Sequence, residues 1–157
     1  MIYHSYFQSP VGLLHLESDG SSLTGLHFTA AATYAAAELP VFADTAAWLD
    51  AYFRGQPFEP HIPICLDGTP FQKQVWQILR SIPYGEVRTY GDIAREMTIR
   101  TGKPKMSAQA VGQAVGRNPV GILIPCHRVV GAGNRLTGYA GGLDKKVWLL
   151  RQEGWLK

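Results

Sequence analysis

Two cysteines among 157 residues are too few for a disulfide scaffold. Cys65 and Cys126 lie far apart, so a single bridge between them stays open, but reduced thiols are expected. No stretch approaches the roughly 18 apolar residues that span a bilayer, so no membrane association is expected. The opening M-I-Y-H-S-Y-F lacks a basic region followed by an apolar core, so no signal peptide is expected, and the cytoplasm is the expected compartment. Charged residues are only 17% against 46% hydrophobic, which excludes a disordered or supercharged chain. Internal repeats and low-complexity tails are absent as well. What remains is a globular chain long enough for one ordinary domain or two small ones.

The charge is unevenly spread. Residues 1–80 carry three Lys/Arg against seven Asp/Glu, a net −4, whereas residues 81–157 carry twelve against five, a net +7. A basic second half is what a polyanion-binding surface requires, and it is also what an ordinary solvated surface can have.

Three short aliphatic and aromatic runs, 2–7, 11–17 and 23–28, read as strands separated by turns at Ser9-Pro10 and Asp19-Gly20. The alanine-rich 29–39 reads as helix. So does 45–54, where Trp48, Leu49, Tyr52 and Phe53 recur at helical spacing and Gly55 stops the run. A proline-rich connector, 57–63, leads to a short apolar strand at 64–66, in which Cys65 reads as a buried small hydrophobe. A second unit starts near Gly68, giving domains 1–67 and 68–157. Thr69 caps a helix over 71–80, with Phe71, Val75, Ile78 and Leu79 on one face. Thr89 caps a helix over 90–97, a basic loop follows at 98–105, and Ser107 caps a helix over 108–116. Two short helices joined by a loop suggest a helix-turn-helix, although this loop is longer than usual. A last helix, 143–153, carries Leu143, Val147 and Leu150 as its stripe.

Three features carry chemistry. The segment I-L-I-P-C-H-R-V-V-G (122–131) places Cys126 after a rigid proline, where a buried strand is expected to end, beside His127 and Arg128. A positive field there favours the nucleophilic thiolate; the alternative is a small core residue beside a surface His-Arg pair. The helix S-A-Q-A-V-G-Q-A-V-G has almost no large side chains, which suits either tight helix packing or close approach to a nucleic acid backbone or minor groove. Glu153 sits in a last helical turn, where a carboxylate opposes the macrodipole. It is either a solvated glutamate or a partner for a group such as His127.

Five ordered motifs together resemble the O6-alkylguanine-DNA alkyltransferases, the methylated-DNA–protein-cysteine methyltransferases. They are T-P-F-Q-K-Q-V-W (69–76), I-P-Y-G-E-V-R-T-Y (82–90), A-V-G-Q-A-V-G-R-N-P (110–119), I-P-C-H-R-V-V-G (124–131) and Y-A-G-G-L-D-K-K (139–146). The resemblance implies an α/β N-terminal unit, a small antiparallel sheet plus helix. A mainly α-helical, winged-helix-like domain with a helix-turn-helix would follow. It implies irreversible transfer of an alkyl group from O6-alkylguanine in double-stranded DNA to Cys126, once per molecule, with no cofactor. O4-alkylthymine stays open as a second substrate. His127 would take the thiol proton through a water, Glu153 would orient His127, and Asn118 would hold the turn before the active-site segment. Tyr90 would rotate the target phosphate and bond the flipped guanine. Tyr139 would line the pocket, with the Ala140 N–H facing the guanine oxygen and the carbonyls of Cys126 and Val129 taking the guanine amino group. The small helix around Ala108, Ala110 and Gly112 would enter the minor groove, with Ser107, Gln109, Arg117 and Arg128 as further DNA contacts. No obligate protein partner is implied, and a monomer is expected.

The chain departs from the family pattern. Many members carry an arginine where Gln109 stands, filling the gap left by the flipped base. Glutamine keeps hydrogen bonding but lacks the cation. Arg100, Lys103 and Lys105 in the basic loop are candidates to restore phosphate contacts. Gly121 stands where some members have a proline beside the alkyl group. Relatives that bind zinc in the N-terminal part use cysteines that this chain lacks. His4, His15, His27 and His61 are dispersed along the sequence, so no metal site is expected. The alternative function is a protein that binds alkyl lesions without transfer. A cysteine hydrolase using Cys126, His127 and Glu153 and a simple DNA-binding regulator are further rivals.

Overall fold

The computed structural model describes residues 1–157 as two compact units. One comprises Met1–Asp67 with Pro119–Gly121, the other Gly68–Asn118 with Ile122–Lys157.

In the first unit, β1 (Tyr3–Ser9), β2 (Gly12–Ser18) and β3 (Leu23–Phe28) form an antiparallel sheet in the order β1-β2-β3. The first hairpin closes at Ser9, whose hydroxyl donates to the Gly12 carbonyl at 2.6 Å. The second closes at Asp19, whose carboxylate accepts from the N–H groups of Ser21 and Ser22 at 3.0 and 2.8 Å. Alternation divides the sheet into two faces. Leu14, Leu16 and Leu26 point into the core, where α1 (Pro40–Phe53) supplies Val41, Phe42, Trp48, Leu49 and Tyr52. The opposite face carries His4, Tyr6, His15, Glu17 and His27, set by the register Tyr6↔His15, His4↔Glu17 and His15↔His27. The histidines that are dispersed in sequence are therefore gathered here, all but His61. The free edge of β3 is closed by two short parallel bridges, Leu23 to Ile64 and Leu26 to Val120.

Three expectations for this unit fail for physical reasons. The alanine-rich stretch is not helical, and α1 begins only at Pro40. A short isolated helix with no apolar face has nothing to pay its nucleation entropy. The stretch has no regular structure and is tied to β1 instead: the Tyr6 hydroxyl accepts from the N–H groups of Thr33 and Tyr34 at 3.1 and 3.0 Å, and Ala37 N–H donates to the His4 carbonyl at 2.8 Å. Residues 64–66 make a single bridge rather than a strand, and Cys65 is exposed rather than buried.

In the second unit, α2 (Pro70–Arg80), α3 (Tyr90–Thr101) and α4 (Ala108–Gly116) pack together. Thr69 and Thr89 each close a full capping box, with Gln72 and Asp92 respectively. Buried Trp76 ties α2 to α4 by donating its indole N–H to the Ala114 carbonyl at 2.8 Å. Helix α3 runs one turn past the expected 97 and ends at Gly102, whose φ of 70° only glycine adopts without strain. The basic loop thus shortens to 102–107, and Arg100 lies on α3, paired with Glu96 at 2.8 Å. Parallel β4 (Arg88–Thr89) and β5 (Val129–Val130) pair beside α3, and α5 (Leu143–Gln152) completes the unit. The buried face of α5 is Lys146, Leu149 and Leu150; of the expected stripe only Leu150 is buried, while Val147 is half-buried and Leu143 is 46% exposed.

Replacing Thr69 with alanine removes the acceptor for Gln72 N–H (3.1 Å) at the start of α2. Urea unfolding of Thr69→Ala should show a loss of about 1 kcal/mol with unchanged m-value.

Candidate active site

Residues 122–130 are all buried, an unbroken run that no surface loop shows. They do not form the expected strand. The chain passes through Ile122 with φ of 67°, a conformation that costs a β-branched residue about 1–3 kcal/mol, and Cys126–Arg128 form a 3₁₀ turn. Asn118 secures this segment by donating its side-chain amide to the Ile124 carbonyl at 2.7 Å.

Cys126 lies in a pocket of about 230 Å³ lined also by Tyr90, Gly112, Val115, Asn118, Tyr139 and Ala140. The small side chains of α4 give this pocket one wall: Gly112 lies against the ring of Tyr90, where a Cβ would come within 3.7 Å. Tyr90 in turn accepts a hydrogen bond from the Thr137 hydroxyl at 3.2 Å.

The positive field expected from His127 and Arg128 does not arise. Burial pushes the Cys126 thiol up, opposed by the Asn118 amide, the Lys146 charge, its own backbone N–H and the Tyr139 hydroxyl. Burial and the neighbouring cysteine hold the Tyr139 hydroxyl well above its ordinary range, so it stays a donor. Burial pushes His127 below its ordinary value, with Arg128 and Lys146 adding to this against Glu153, so the imidazole is neutral at pH 7. Its Nε2 lies 2.6 Å from Glu153 Oε2. The N–H must therefore be on Nε2, which leaves the lone pair on Nδ1. Nδ1 is buried and has no hydrogen-bond partner within the protein.

Arg128, expected on DNA, is turned inward. Its Nε and Nη2 donate to the Glu153 carboxylate at 2.7 and 3.0 Å, and its Nη1 to the Ile82 carbonyl at 2.7 Å. A guanidinium spent on a buried carboxylate is not available to phosphate. Burial pushes the Glu153 carboxyl up, but hydrogen bonds and charge from His127 and Arg128 outweigh it and hold it at about 2.

Sequence reasoning missed Lys146. Its ammonium is fully buried and donates to the Val129 carbonyl at 2.6 Å, and burial lowers its pKa to about 8 against the opposing pull of Cys126. The available signal was its spacing: Lys146, Leu149, Leu150 and Glu153 recur at i, i+3, i+4 and i+7, one face of a helix. Val129 is buried and does not line the pocket. Ser107, Ala108, Gln109 and Arg117 are exposed and Ala110 half-buried along α4, with Ser107 capping the helix through the N–H groups of Gln109 and Ala110.

Comparison with known proteins agrees with this architecture. Residues 2–66 match the family model of the 6-O-methylguanine DNA methyltransferase ribonuclease-like domain, and residues 70–155 match that of the 6-O-methylguanine DNA methyltransferase DNA binding domain. A Methanosarcina acetivorans methylated-DNA–protein-cysteine methyltransferase is 42% identical, over 98% of this chain and 99% of its own. One from Mycobacterium leprae is 46% identical, over 98% and 93%. The crystal structure of Mycobacterium tuberculosis O6-methylguanine methyltransferase superposes with a TM-score of 0.83 at 40% identity, covering 98% of this chain and 93% of that one. The structure of Mycobacterium tuberculosis OGT in complex with DNA gives 0.83 at 39% identity, covering 98% and 94%. The chain belongs to the O6-methylguanine-DNA methyltransferase family.

Glu153→Gln leaves Arg128 buried without its counter-charge and should cost about 3–5 kcal/mol in urea unfolding at pH 7. Because the folded carboxyl sits at about 2, below its ordinary 4.5, its stabilisation is present above 4.5 and lost as the pH falls toward 2. The variant should lack that part of the acid dependence.

Proposed function

We propose that this chain repairs DNA by transferring an alkyl group from O6-alkylguanine to its own Cys126, one turnover per molecule. The observation that carries the reading is the pocket that holds a buried thiol between two hydrogen-bond donors, Asn118 and Tyr139, with the His127–Glu153 pair behind it. In this reading residues 68–157 are the DNA-binding, alkyl-accepting domain and residues 1–67 the N-terminal domain. The protein acts as a monomer on double-stranded DNA.

A thiol buried in this way is protonated at rest. His127 Nδ1 takes its proton through a water, and Glu153 stabilises the imidazolium that forms. The thiolate is supported by Asn118, Tyr139 and the Lys146 ammonium. It attacks the alkyl carbon in line. The S–C bond forms as the C–O bond breaks, the electron pair goes to the guanine oxygen, and the base returns to its keto form after gaining one proton. The thioether is a poor leaving group, so the protein is spent.

The base must first leave the stack, at a cost of about a few kcal/mol. Tyr90 meets the flipped guanine, Tyr139 and Ala140 line its pocket, and the small face of α4 around Ala108, Ala110 and Gly112 enters the minor groove. Exposed Ser107, Gln109 and Arg117 contact the DNA, with Lys103 and Lys105 as further phosphate contacts. Arg100 is engaged with Glu96 and Gln77 and contributes less.

Intact mass after incubation with an oligonucleotide carrying O6-methylguanine tests the reading. Wild type should gain one methyl group, about 14 Da, and Cys126→Ser none. Lesion binding without a mass gain in the wild type would sink transfer in favour of lesion binding alone. Gln109→Arg should tighten binding to the same duplex by about tenfold, the scale of one charge-assisted hydrogen bond, measured by fluorescence anisotropy at fixed salt.

A further inference from the structure

The outer face of the three-stranded sheet holds a cluster that the transfer reaction does not use. His15 and His27 are cross-strand partners on β2 and β3, and Glu17 lies two residues along β2 on the same face. His15 Nδ1 is 3.0 Å from His27 Nε2, Glu17 Oε1 is 3.6 Å from that same Nε2, and all three atoms lie within 4.8 Å of one another. The 3.6 Å separation is too long for a hydrogen bond, so the carboxylate is aimed at the cluster without bonding His27.

We propose that His15, Glu17 and His27 form a zinc site. Tetrahedral bonds of about 2.0–2.2 Å place ligand atoms roughly 3.3–3.5 Å apart, so the two closer pairs need shifts of a few tenths of an ångström, and a rotation of the Glu17 carboxylate toward His15 must close the widest pair from within 4.8 Å. Two imidazoles and a carboxylate suit zinc, and the half-exposed side of His27 leaves room for a water as fourth ligand.

The surroundings orient the ligands. His15 Nε2 lies 2.9 Å from His4 Nδ1; a proton placed there puts the lone pair of His15 on Nδ1, the atom that faces the site. The His15 ring is stacked with Tyr6 at 5.0 Å, and the His4 ring with Tyr34 at 3.8 Å. With its Nε2 lone pair on the ion, His27 carries its proton on Nδ1. Gly25, opposite Glu17, makes space for the carboxylate, because a Cβ there would meet Glu17 Oε1 at 3.0 Å. None of these donors is a cysteine, the ligand that zinc-binding relatives use in their N-terminal part. The ion would clamp β2 to β3 and leave the cysteine chemistry untouched.

The test uses the full-length protein, stripped with EDTA and titrated with zinc chloride, read by native mass spectrometry, calorimetry and melting temperature. Wild type, Cys65→Ser and His61→Ala should each bind one zinc and melt higher with it. Glu17→Gln and His27→Asn should bind at least about tenfold more weakly. Both substitutions are at solvent-accessible side chains, and equal melting in EDTA verifies their folds. Binding to the wild type that is absent, or equally tight in both variants, overturns the site.

Discussion

The Glu153 carboxylate is the point on which the second unit converges. It accepts from His127, takes two hydrogen bonds from Arg128 and faces the Gly85 N–H at 3.5 Å. It occupies the C-terminal end of α5, where the helix dipole opposes a negative charge. Arg128 offsets that opposition, and through its third bond, to the Ile82 carbonyl, it ties the turn after α2 to the turn that carries Cys126. Tyr84 adds to the same junction by donating to the Gln152 carbonyl at 3.2 Å. Removing any one of these charges would leave another buried without compensation, which is why the geometry of His127 is so narrowly determined.

Around that junction the protein spends local rules on precision. Two capping boxes set where α2 and α3 begin, and the Trp76 bond to Ala114 sets how α2 meets α4. The strained backbone at Ile122 sits within a wholly buried segment, where packing over-determines the conformation and the cost can be borne. Helix α4 is nearly featureless, and its Gly112 lets the Tyr90 ring lie against it. The sheet face of the first unit follows a different logic, in which cross-strand register rather than helix geometry gathers titratable groups.

Much of the second unit was legible in the sequence because its signals are local. Thr69, Thr89 and Ser107 are side chains that bond backbone within three residues of themselves, so the starts of α2, α3 and α4 could be read directly. The alanine-rich stretch and Cys65 misled for the converse reason. Composition alone speaks for helix or burial there, whereas distant partners on β1 decide the backbone of the first. The small-residue helix and the odd placement of Glu153 stand out as anomalies in sequence, each with two readings that only its partners distinguish.

The class of chemistry is written in the order of the motifs. Cys126, His127 and Glu153 as residue types fit a hydrolase as well, and it is the five ordered motifs, through the family they resemble, that single out alkyl transfer. The electrostatics come from the fold. It turned Arg128 from a surface cation into the buried counter-charge of Glu153, and it placed Lys146 beside the thiol. It also assembled three histidines from three strands. The reason is that charge, protonation and ligation depend on distance and burial, which sequence separation does not encode.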